Sequence, residues 1–281
     1  MTTKILPLFP PHSQYCEPFF GGGSIFFAKE PCGHETINDL DQGVTTFFRI
    51  LRDRGPEFCA RARLTEYGEA LWRDCKATWA LEPDDLERAW KWWVVARMGF
   101  AADFGHSIGF TRAHSRRGMA PSVSKFFSAI DGLEQTITRL QRTQIMCCDW
   151  RTAVSRTDGP DCLHYLDPPY LPETRRQGRY KHEMGPMDHH VLVRFLLEDV
   201  QGMVILSGYR CSEYAGLEQA GWKRIDFEVI CQAAAKTQET QLLGDGIMLE
   251  KQQRVESVWI NPAAESRKQV PILSGSDTSH E

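Results

Sequence analysis

The sequence predicts an α/β fold in which a sheet domain is interrupted along the chain by a helical insertion. Strand and helix patterns alternate at the start, long helical patterns without strand alternation follow, and strand patterns then resume. The simplest account is a discontinuous α/β domain of residues 1–56 and 143–262 with an insert of residues 57–142. Residues 263–281 are polar and lack apolar periodicity, so we expect a disordered tail there.

The first elements follow the order strand, glycine turn, helix, strand, helix. The extended run Gln14–Phe19 ends in Gly21-Gly22-Gly23-Ser24, and Ile25–Lys29 has helical composition. A second strand, Glu35–Asp39, precedes a helix that stops at Gly55-Pro56.

The insert and the second half of the chain show the same two kinds of pattern. Within the helical segment Asp84–Met98, Trp90 and Trp93 have core spacing and Trp92 is a surface candidate. The later predicted elements are the strands Gln144–Asp149, Leu163–Asp167 and Met203–Ser207, a helix His190–Asp199, and a hairpin of Arg224–Ile230 with Arg254–Ile260.

Composition excludes several classes of protein. The chain has 281 residues, 42% of them hydrophobic and 25% charged, which is enough for one large core or two modest ones. No apolar run approaches the roughly 20 residues of a membrane span, and no secretory signal is readable, so we expect a cytosolic protein. Nine cysteines without a C-x-x-C pair indicate neither a disulfide framework nor a zinc knuckle.

The glycine turn after the first strand indicates a ligand site. Its pattern, Phe19-x-Gly21-x-Gly23, suits a nucleotide-like molecule but is not a phosphate-cradling P-loop. Asp39 follows the second strand, where folds of this type receive ribose hydroxyls on a carboxylate. Asp41 is interpreted instead as a helix N-cap.

The most informative tetrapeptide is Asp167-Pro168-Pro169-Tyr170, directly after an apolar strand. The prolines cannot continue the sheet and form a rigid loop at the strand end, where open α/β sheets bind ligands. Asp167 and the Pro168 carbonyl offer two acceptors beside the flat ring of Tyr170, which together fit a planar amine. An ordinary Pro-Pro turn with an aspartate cap is the alternative.

These residues resemble the Dam-like adenine-specific DNA methyltransferases, a family with phage and restriction-modification members. The similarity runs in the family's order over most of the chain. Its segments are Glu17-Pro-Phe-Phe-Gly-Gly-Gly-Ser24, Ile37-Asn-Asp-Leu-Asp41, Cys148-Asp149-Trp150, Tyr165-Leu-Asp-Pro-Pro-Tyr170, Ser207-Gly-Tyr209 and Val258-Trp-Ile-Asn-Pro262. The resemblance implies a Rossmann-like S-adenosylmethionine-dependent methyltransferase sheet with an inserted, mostly helical target-recognition domain.

The resemblance also implies a set of site residues and partners. The cofactor site would comprise Glu17, Phe19, Gly21, Gly23, Asp39, Asp149, Trp150 and Asp167, and the catalytic corner Asp167, Pro168, Pro169 and Tyr170. The cofactor would be S-adenosylmethionine without a metal, and the partner double-stranded DNA. Whether an associated restriction endonuclease exists stays open. We expect a monomer or weak dimer in the cytoplasm of a bacterial or phage-infected cell.

The implied reaction is methyl transfer to the exocyclic amine of adenine. Asp167, ionised, and the Pro168 carbonyl would support the positive charge that develops on the nitrogen. Whether Asp167 or water takes the departing proton stays open. Because that amine is unreachable inside a duplex, the base must be flipped out, and Tyr170 would stack on it. Tyr209 either borders this pocket or belongs to the core.

Basic residues predict the DNA-binding surface. Between Arg88 and Lys125 seven basic residues face one acid, a net charge of +6 in a chain whose net charge is -4. Solvated loop charges are the alternative for Arg116 and Arg117. The candidates for DNA contact are Arg97, Arg112, Arg116, Arg117 and Lys125, followed after Tyr170 by Arg175, Arg176, Arg179 and Lys181.

Two other functions stay open. Asp rather than Ser before Pro-Pro-Tyr favours adenine by resemblance, but a cytosine amino-methyltransferase presents similar geometry. Family members usually begin with a Gly-Gly-Lys segment that touches the cofactor, whereas the sequence begins Met1-Thr-Thr-Lys4. A DNA-binding homologue with weak or lost activity is therefore the second alternative. Asp188-His189-His190 is interpreted as a helix start, with Asp188 as its cap, rather than a metal site.

Overall fold

A computed structural model describes residues 1–99, 108, 118–171, 181–230 and 253–268. Seven strands form one sheet in this part of the chain: β1 Gln14–Glu17, β2 His34–Asn38, β3 Thr143–Met146, β4 Cys162–Leu166, β5 Met203–Tyr209, β6 Lys223–Ile230 and β7 Gln253–Ile260. Their spatial order is β3-β2-β1-β4-β5-β7-β6. The first five strands are parallel, and β7 runs antiparallel to both β5 and β6. The predicted Rossmann-like α/β fold is confirmed.

Helices cover both faces of the sheet. Those in the described residues are α1 Thr2–Ile5, α2 Ser24–Ala28, α3 Gln42–Asp53, α4 Gly55–Arg63, α5 Glu69–Thr78, α6 Asp85–Met98, α7 Pro121–Asp131, α8 Leu133–Leu140, α9 Trp150–Thr157, α10 Pro186–Glu198, α11 Ala215–Gln219 and α12 Pro262–Lys268. No helix within these residues is long and apolar enough to cross a bilayer.

Two hydrophobic cores lie on opposite faces of the sheet because successive side chains of a strand alternate in direction. Leu163 and Tyr165 of β4 belong to one cluster, together with Phe47 of α3. Leu166, the next residue of β4, belongs to the other cluster with Leu192 of α10.

The helices of the insert share the first of these cores. The ring of Phe58 in α4 meets Trp93 of α6 edge-on at 5.8 Å, and Trp93 lies 5.1 Å from Phe126 of α7. Trp90 and Trp93 are buried, as predicted, and Trp92 is half-buried against Phe47 at 5.3 Å. Helices α4, α6 and α7 of the insert therefore share a core with the sheet domain. The division of the chain into two domains stays a prediction.

The expectation of a disordered tail from residue 263 was wrong for residues 263–268. These residues belong to α12, whose first turn is held by the buried side chain of Asn261. Asn261 Oδ1 accepts hydrogen bonds from the N–H groups of Val204 and Ala264, and its Nδ2 donates to the carbonyl of Gly202. A side-chain cap and the burial of Ala264 fix a helix that apolar periodicity did not indicate. Residues 269–281 lie outside the described residues.

Candidate active site

A cleft of about 340 Å³ lies at the carboxyl ends of the parallel strands. The strands end before the residues of interest, so Phe19, Asp39, Asp149 and Asp167 stand on loops beyond β1, β2, β3 and β4. In the described residues the cleft is lined by Pro18, Phe19, Gly21, Asn38, Asp39, Leu40, Asp41, Val44, Cys148, Asp149, Trp150, Asp167, Pro169, Lys181, His182, Glu183, Met184 and Asp188. This position is where open α/β sheets bind their ligands.

The glycine turn and Asp39 form one hydrogen-bonded unit. Asp39 Oδ2 accepts from the Gly21 N–H at 2.8 Å, and Oδ1 accepts from the Asp41 N–H at 2.8 Å. Gly23 has a φ of 64°, and a Cβ there would lie 2.3 Å from the Phe20 ring, so this position requires glycine. Burial raises the pKa of Asp39. Each Asp39 oxygen keeps acceptor capacity for a ligand hydroxyl, because a carboxylate oxygen has two lone pairs.

Asn38 joins the ends of three strands, a role that sequence reasoning missed. Its buried Nδ2 donates to the carbonyls of Pro18 and Cys148, both at 3.0 Å. Its Oδ1 accepts from the Cys148 N–H at 3.0 Å. These bonds fix the loops after β1 and β3 against β2, and the floor of the cleft with them.

Asp41 is the N-cap of α3, as predicted, and also an anchor for the far rim of the cleft. Its Oδ1 accepts from the Gly43 N–H at 2.8 Å and from Lys181 Nζ at 2.7 Å. Lys181 Nζ also lies 5.3 Å from the centre of the Trp79 ring. From the sequence, Lys181 was expected to contact phosphates together with the nearby arginines. In the structure its charge is paired with Asp41 across the cleft.

Two aromatic rings form an apolar wall of the cleft. Phe19 and Trp150 stack with their centroids 6.0 Å apart and their planes at 29°. Asp149 precedes Trp150 and caps α9, because its Oδ1 accepts from the Arg151 N–H at 2.9 Å. A flat apolar wall beside carboxylates suits a ring with polar substituents.

Asp167 stands at the edge of the cleft with Tyr170 bonded to it. The Tyr170 hydroxyl donates to Asp167 Oδ1 at 2.8 Å, and the Tyr170 ring meets Tyr209 edge-on at 4.9 Å. The Asp167 side chain reaches solvent through the cleft mouth, yet the surrounding protein excludes enough water to raise its pKa to about 6. Asp167 is therefore mostly ionised at neutral pH. Pro169 lines the cleft, whereas Pro168 is buried.

Glu17 lies beneath the cleft rather than in its lining. Its side chain is buried, and Oε1 accepts from the Tyr15 hydroxyl at 2.5 Å. Burial and the negative charge of Asp167 raise the pKa of Glu17 to about 8. Gly23 is also buried, so these two candidates shape the floor and do not face the opening.

The described lining of the cleft is negatively charged. Six of the described lining residues are acids, set against one lysine and one histidine: Asp39, Asp41, Asp149, Asp167, Glu183 and Asp188 against Lys181 and His182. Such a lining repels a pyrophosphate and attracts a cation.

The segment Asp188-His189-His190 lies inside a helix that starts earlier than expected. Helix α10 begins at Pro186, and Asp188 Oδ2 accepts from the Gly185 N–H at 2.8 Å. Asp188 thus caps the helix from its first turn. Within the described residues no group of three or more His, Cys, Asp or Glu is arranged to hold a metal.

Besides Lys181, two of the candidate DNA contacts lie in the described part of the chain. Arg97 is exposed in the last turn of α6, and Lys125 is exposed on α7. Arg112, Arg116, Arg117, Arg175, Arg176 and Arg179 lie outside the described residues. The local charge of +6 overstates the free positive charge, because Arg88 pairs with Asp85, and Lys91 pairs with Glu82 at 2.7 Å.

The sheet, the cleft and the Asp-Pro-Pro-Tyr corner together define a ligand-binding α/β protein that can present carboxylate and carbonyl acceptors to an amine. A model of the D12 class N6 adenine-specific DNA methyltransferases matches residues 1–79 and 112–215. The chain belongs to this family of enzymes. It is 24% identical over 207 residues to the Type II methyltransferase M1.LlaDCHI of Lactococcus lactis subsp. cremoris, covering 69% of this chain and 71% of that protein.

Proposed function

We propose that this enzyme transfers a methyl group from S-adenosylmethionine to the exocyclic amine of an adenine flipped out of duplex DNA, with Asp167 and the Pro168 carbonyl as acceptors. The observation that carries the proposal is the position of Asp167 on the lining of an acidic cleft at the strand ends. Membership of an adenine-specific family supports adenine as the base.

The cleft fits this cofactor in charge and in shape. S-adenosylmethionine supplies an electrophilic methyl group on a positively charged sulfonium. Six acidic side chains suit that charge and disfavour a nucleotide that carries phosphates. A Cβ on Gly21 would meet no protein atom within 4 Å, so the turn leaves open space for a ligand against its backbone. Asp39 would accept from the ribose, and the Phe19–Trp150 wall would contact the adenine ring.

Asp167 and Pro168 would act on the target nitrogen. An aromatic amine is a poor nucleophile because its lone pair is delocalised into the ring. Acceptors at Asp167 and the Pro168 carbonyl would favour the tetrahedral nitrogen and offset the charge that develops on it. Because its pKa of about 6 is still below neutral pH, Asp167 is mostly ionised there and can act as an acceptor. Alignment of the nitrogen with the transferable methyl group would supply most of the remaining acceleration.

Tyr170 would receive the flipped base. Flipping costs a few kcal/mol, and stacking on an aromatic ring offsets part of that cost. The rings of Tyr170 and Tyr209 lie together beside Asp167, which supports a base-binding role for both. The exposed Arg97 and Lys125 would contact DNA phosphates.

The similarity to a Type II methyltransferase supports a role in restriction and modification. In that role the enzyme would protect DNA from an associated endonuclease that acts on the same sequence. We expect a monomer or weak dimer.

The test uses unmethylated genomic DNA, tritiated S-adenosylmethionine and the full chain. We expect label in N6-methyladenine, and calorimetry should show cofactor binding. Asp167→Asn should abolish transfer, whereas Asp161→Asn, a matched change of an exposed carboxylate that pairs with Arg267, should not. DNA binding without any cofactor binding would instead identify a DNA-binding homologue, and label in N4-methylcytosine would identify a cytosine enzyme.

A further inference from the structure

Two consecutive residues of the loop at the end of β4 have no backbone donor. Pro168 and Pro169 are consecutive residues without N–H groups, so their carbonyls are the backbone groups available for an anchor. The prolines fix their own φ, and a side chain that donates to one of their carbonyls holds the loop in one orientation relative to the sheet.

His189 supplies that anchor. Its ring lies 3.1 Å from the Pro169 carbonyl through Nε2, and 2.8 Å from the Tyr214 hydroxyl through Nδ1. A carbonyl only accepts, so Nε2 carries the hydrogen, and in the neutral ring Nδ1 accepts from Tyr214. Burial lowers the pKa of His189, in agreement with a neutral ring.

Tyr214 is itself fixed by the sheet. Its ring meets Trp259 of β7 edge-on at 4.9 Å. A Cβ on Gly208 of β5 would lie 2.8 Å from the Tyr214 ring, so the glycine makes room for the tyrosine. His189, Tyr214 and Trp259 are each 2% exposed or less. The chain of contacts thus runs from two strands through buried side chains to the loop.

We infer that His189 is a positioning residue for methyl transfer: through the Pro169 carbonyl it holds Asp167 and the Pro168 carbonyl in the orientation that the target amine requires. This inference rests on the proposed function of Asp167 and the Pro168 carbonyl. The histidine does not line the cleft within the described residues, so it acts through the loop rather than on the substrate.

Substitution of His189 separates positioning from stability. His189→Leu removes both hydrogen bonds, whereas His189→Gln keeps an amide donor for Pro169 and an amide acceptor for Tyr214. In single-turnover transfer with tritiated S-adenosylmethionine and unmethylated genomic DNA, we expect His189→Leu to slow the rate about tenfold or more. His189→Gln should recover most of it, and cofactor and duplex affinities should stay within about threefold in both variants.

His164→Leu is the matched control. His164 is equally buried, but it lies in the middle of β4 and its ring is bonded to Asp158, which precedes that strand, rather than to the loop. We expect this change to lower stability without a loss of the single-turnover rate. If His189→Leu is insufficiently stable, Tyr214→Phe removes only the bond to Nδ1 and should still slow transfer.

Three results would overturn the inference. They are a wild-type rate in His189→Leu, a wild-type rate in Tyr214→Phe, or equal slowing in His189→Leu and His189→Gln. Asp167→Asn distinguishes this failure from that of the proposed function. If Asp167→Asn is inactive and His189→Leu is fully active, only the positioning role is wrong. If Asp167→Asn is active, the catalytic role of the corner itself is wrong.

Discussion

The Tyr170 hydroxyl lies 2.8 Å from Asp167 Oδ1 and donates a hydrogen bond to it. In the proposed complex the adenine amine needs the same carboxylate. Because an ionised carboxylate has about four acceptor sites, the amine can either share Oδ1 or displace the hydroxyl. The ring and the hydroxyl of Tyr170 therefore have separable roles.

Two substitutions of Tyr170 separate those roles. Tyr170→Phe keeps the ring and should retain transfer within about tenfold, because stacking needs only the aromatic plane. Tyr170→Ala should weaken binding of the flipped base by about 1–3 kcal/mol. Fluorescence of 2-aminopurine at the target position would report flipping. Equal losses in both variants would contradict a stacking role for the ring.

The pH dependence of transfer should reflect Asp167. Its pKa is raised to about 6, so the active carboxylate is lost by protonation as the pH falls through that value. We expect kcat/KM to decline about tenfold per pH unit below pH 6. Tyr170→Phe should move this limb to higher pH, because the tyrosine hydrogen bond lowers the pKa of Asp167. A limb at the same pH in the variant would contradict this coupling.

Asn38 should matter for both stability and cofactor binding. Asn38→Ala leaves the carbonyls of Pro18 and Cys148 and one N–H group without their partner, at a cost of about 2–4 kcal/mol in the free energy of unfolding. Because these bonds shape the cleft floor, affinity for S-adenosylmethionine should also fall. Urea denaturation and calorimetry measure the two effects.

Asn261→Ala is the control for that pair of measurements. Asn261 is also buried and makes three hydrogen bonds, but it serves β5 and α12. We expect a similar loss of stability with unchanged cofactor affinity. If both variants lose affinity equally, the effect of Asn38 is a general consequence of lower stability.

Glu17 should make the free energy of unfolding fall as the pH rises, which is the opposite of the effect of a carboxylate whose pKa is lowered by folding. Its pKa in the folded protein is raised to about 8, so the favourable protonated form persists to high pH and is lost as the pH rises through that value. Between its ordinary pKa and about 8, the free energy of unfolding should fall by about 1.4 kcal/mol per pH unit relative to Glu17→Gln. Urea denaturation from pH 5 to 8 measures this difference, and parallel profiles would show that Glu17 is ionised in the folded state.

Local signals in the sequence were sufficient to predict which residues lie together at one edge of the sheet for part of the candidate site. The glycine turn, Asp39 and the Asp167–Tyr170 loop each follow a strand, and parallel strands bring their carboxyl ends to one edge. Asp41 as an N-cap depends only on its own helix, and the structure confirms it.

The remaining contacts join distant parts of the chain, which local patterns do not report. Lys181 bonds to Asp41 from 140 positions away, and Asn38 reaches Cys148 from 110. The sequence indicated a helix start at His189, but its contact with Pro169 depends on how α10 packs on the sheet. Helix α12 was missed because its cap, Asn261, is fixed by bonds to β5 and the residue before it.

The role of Asp167 is tested most directly by mass spectrometry of nucleosides from a methylation-deficient host that expresses either the natural chain or Asp167→Asn. We expect N6-methyladenine with the natural chain and none with the variant at equal protein levels. N6-methyladenine at undiminished levels with Asp167→Asn would contradict the assignment of Asp167 as the acceptor for the reacting amine.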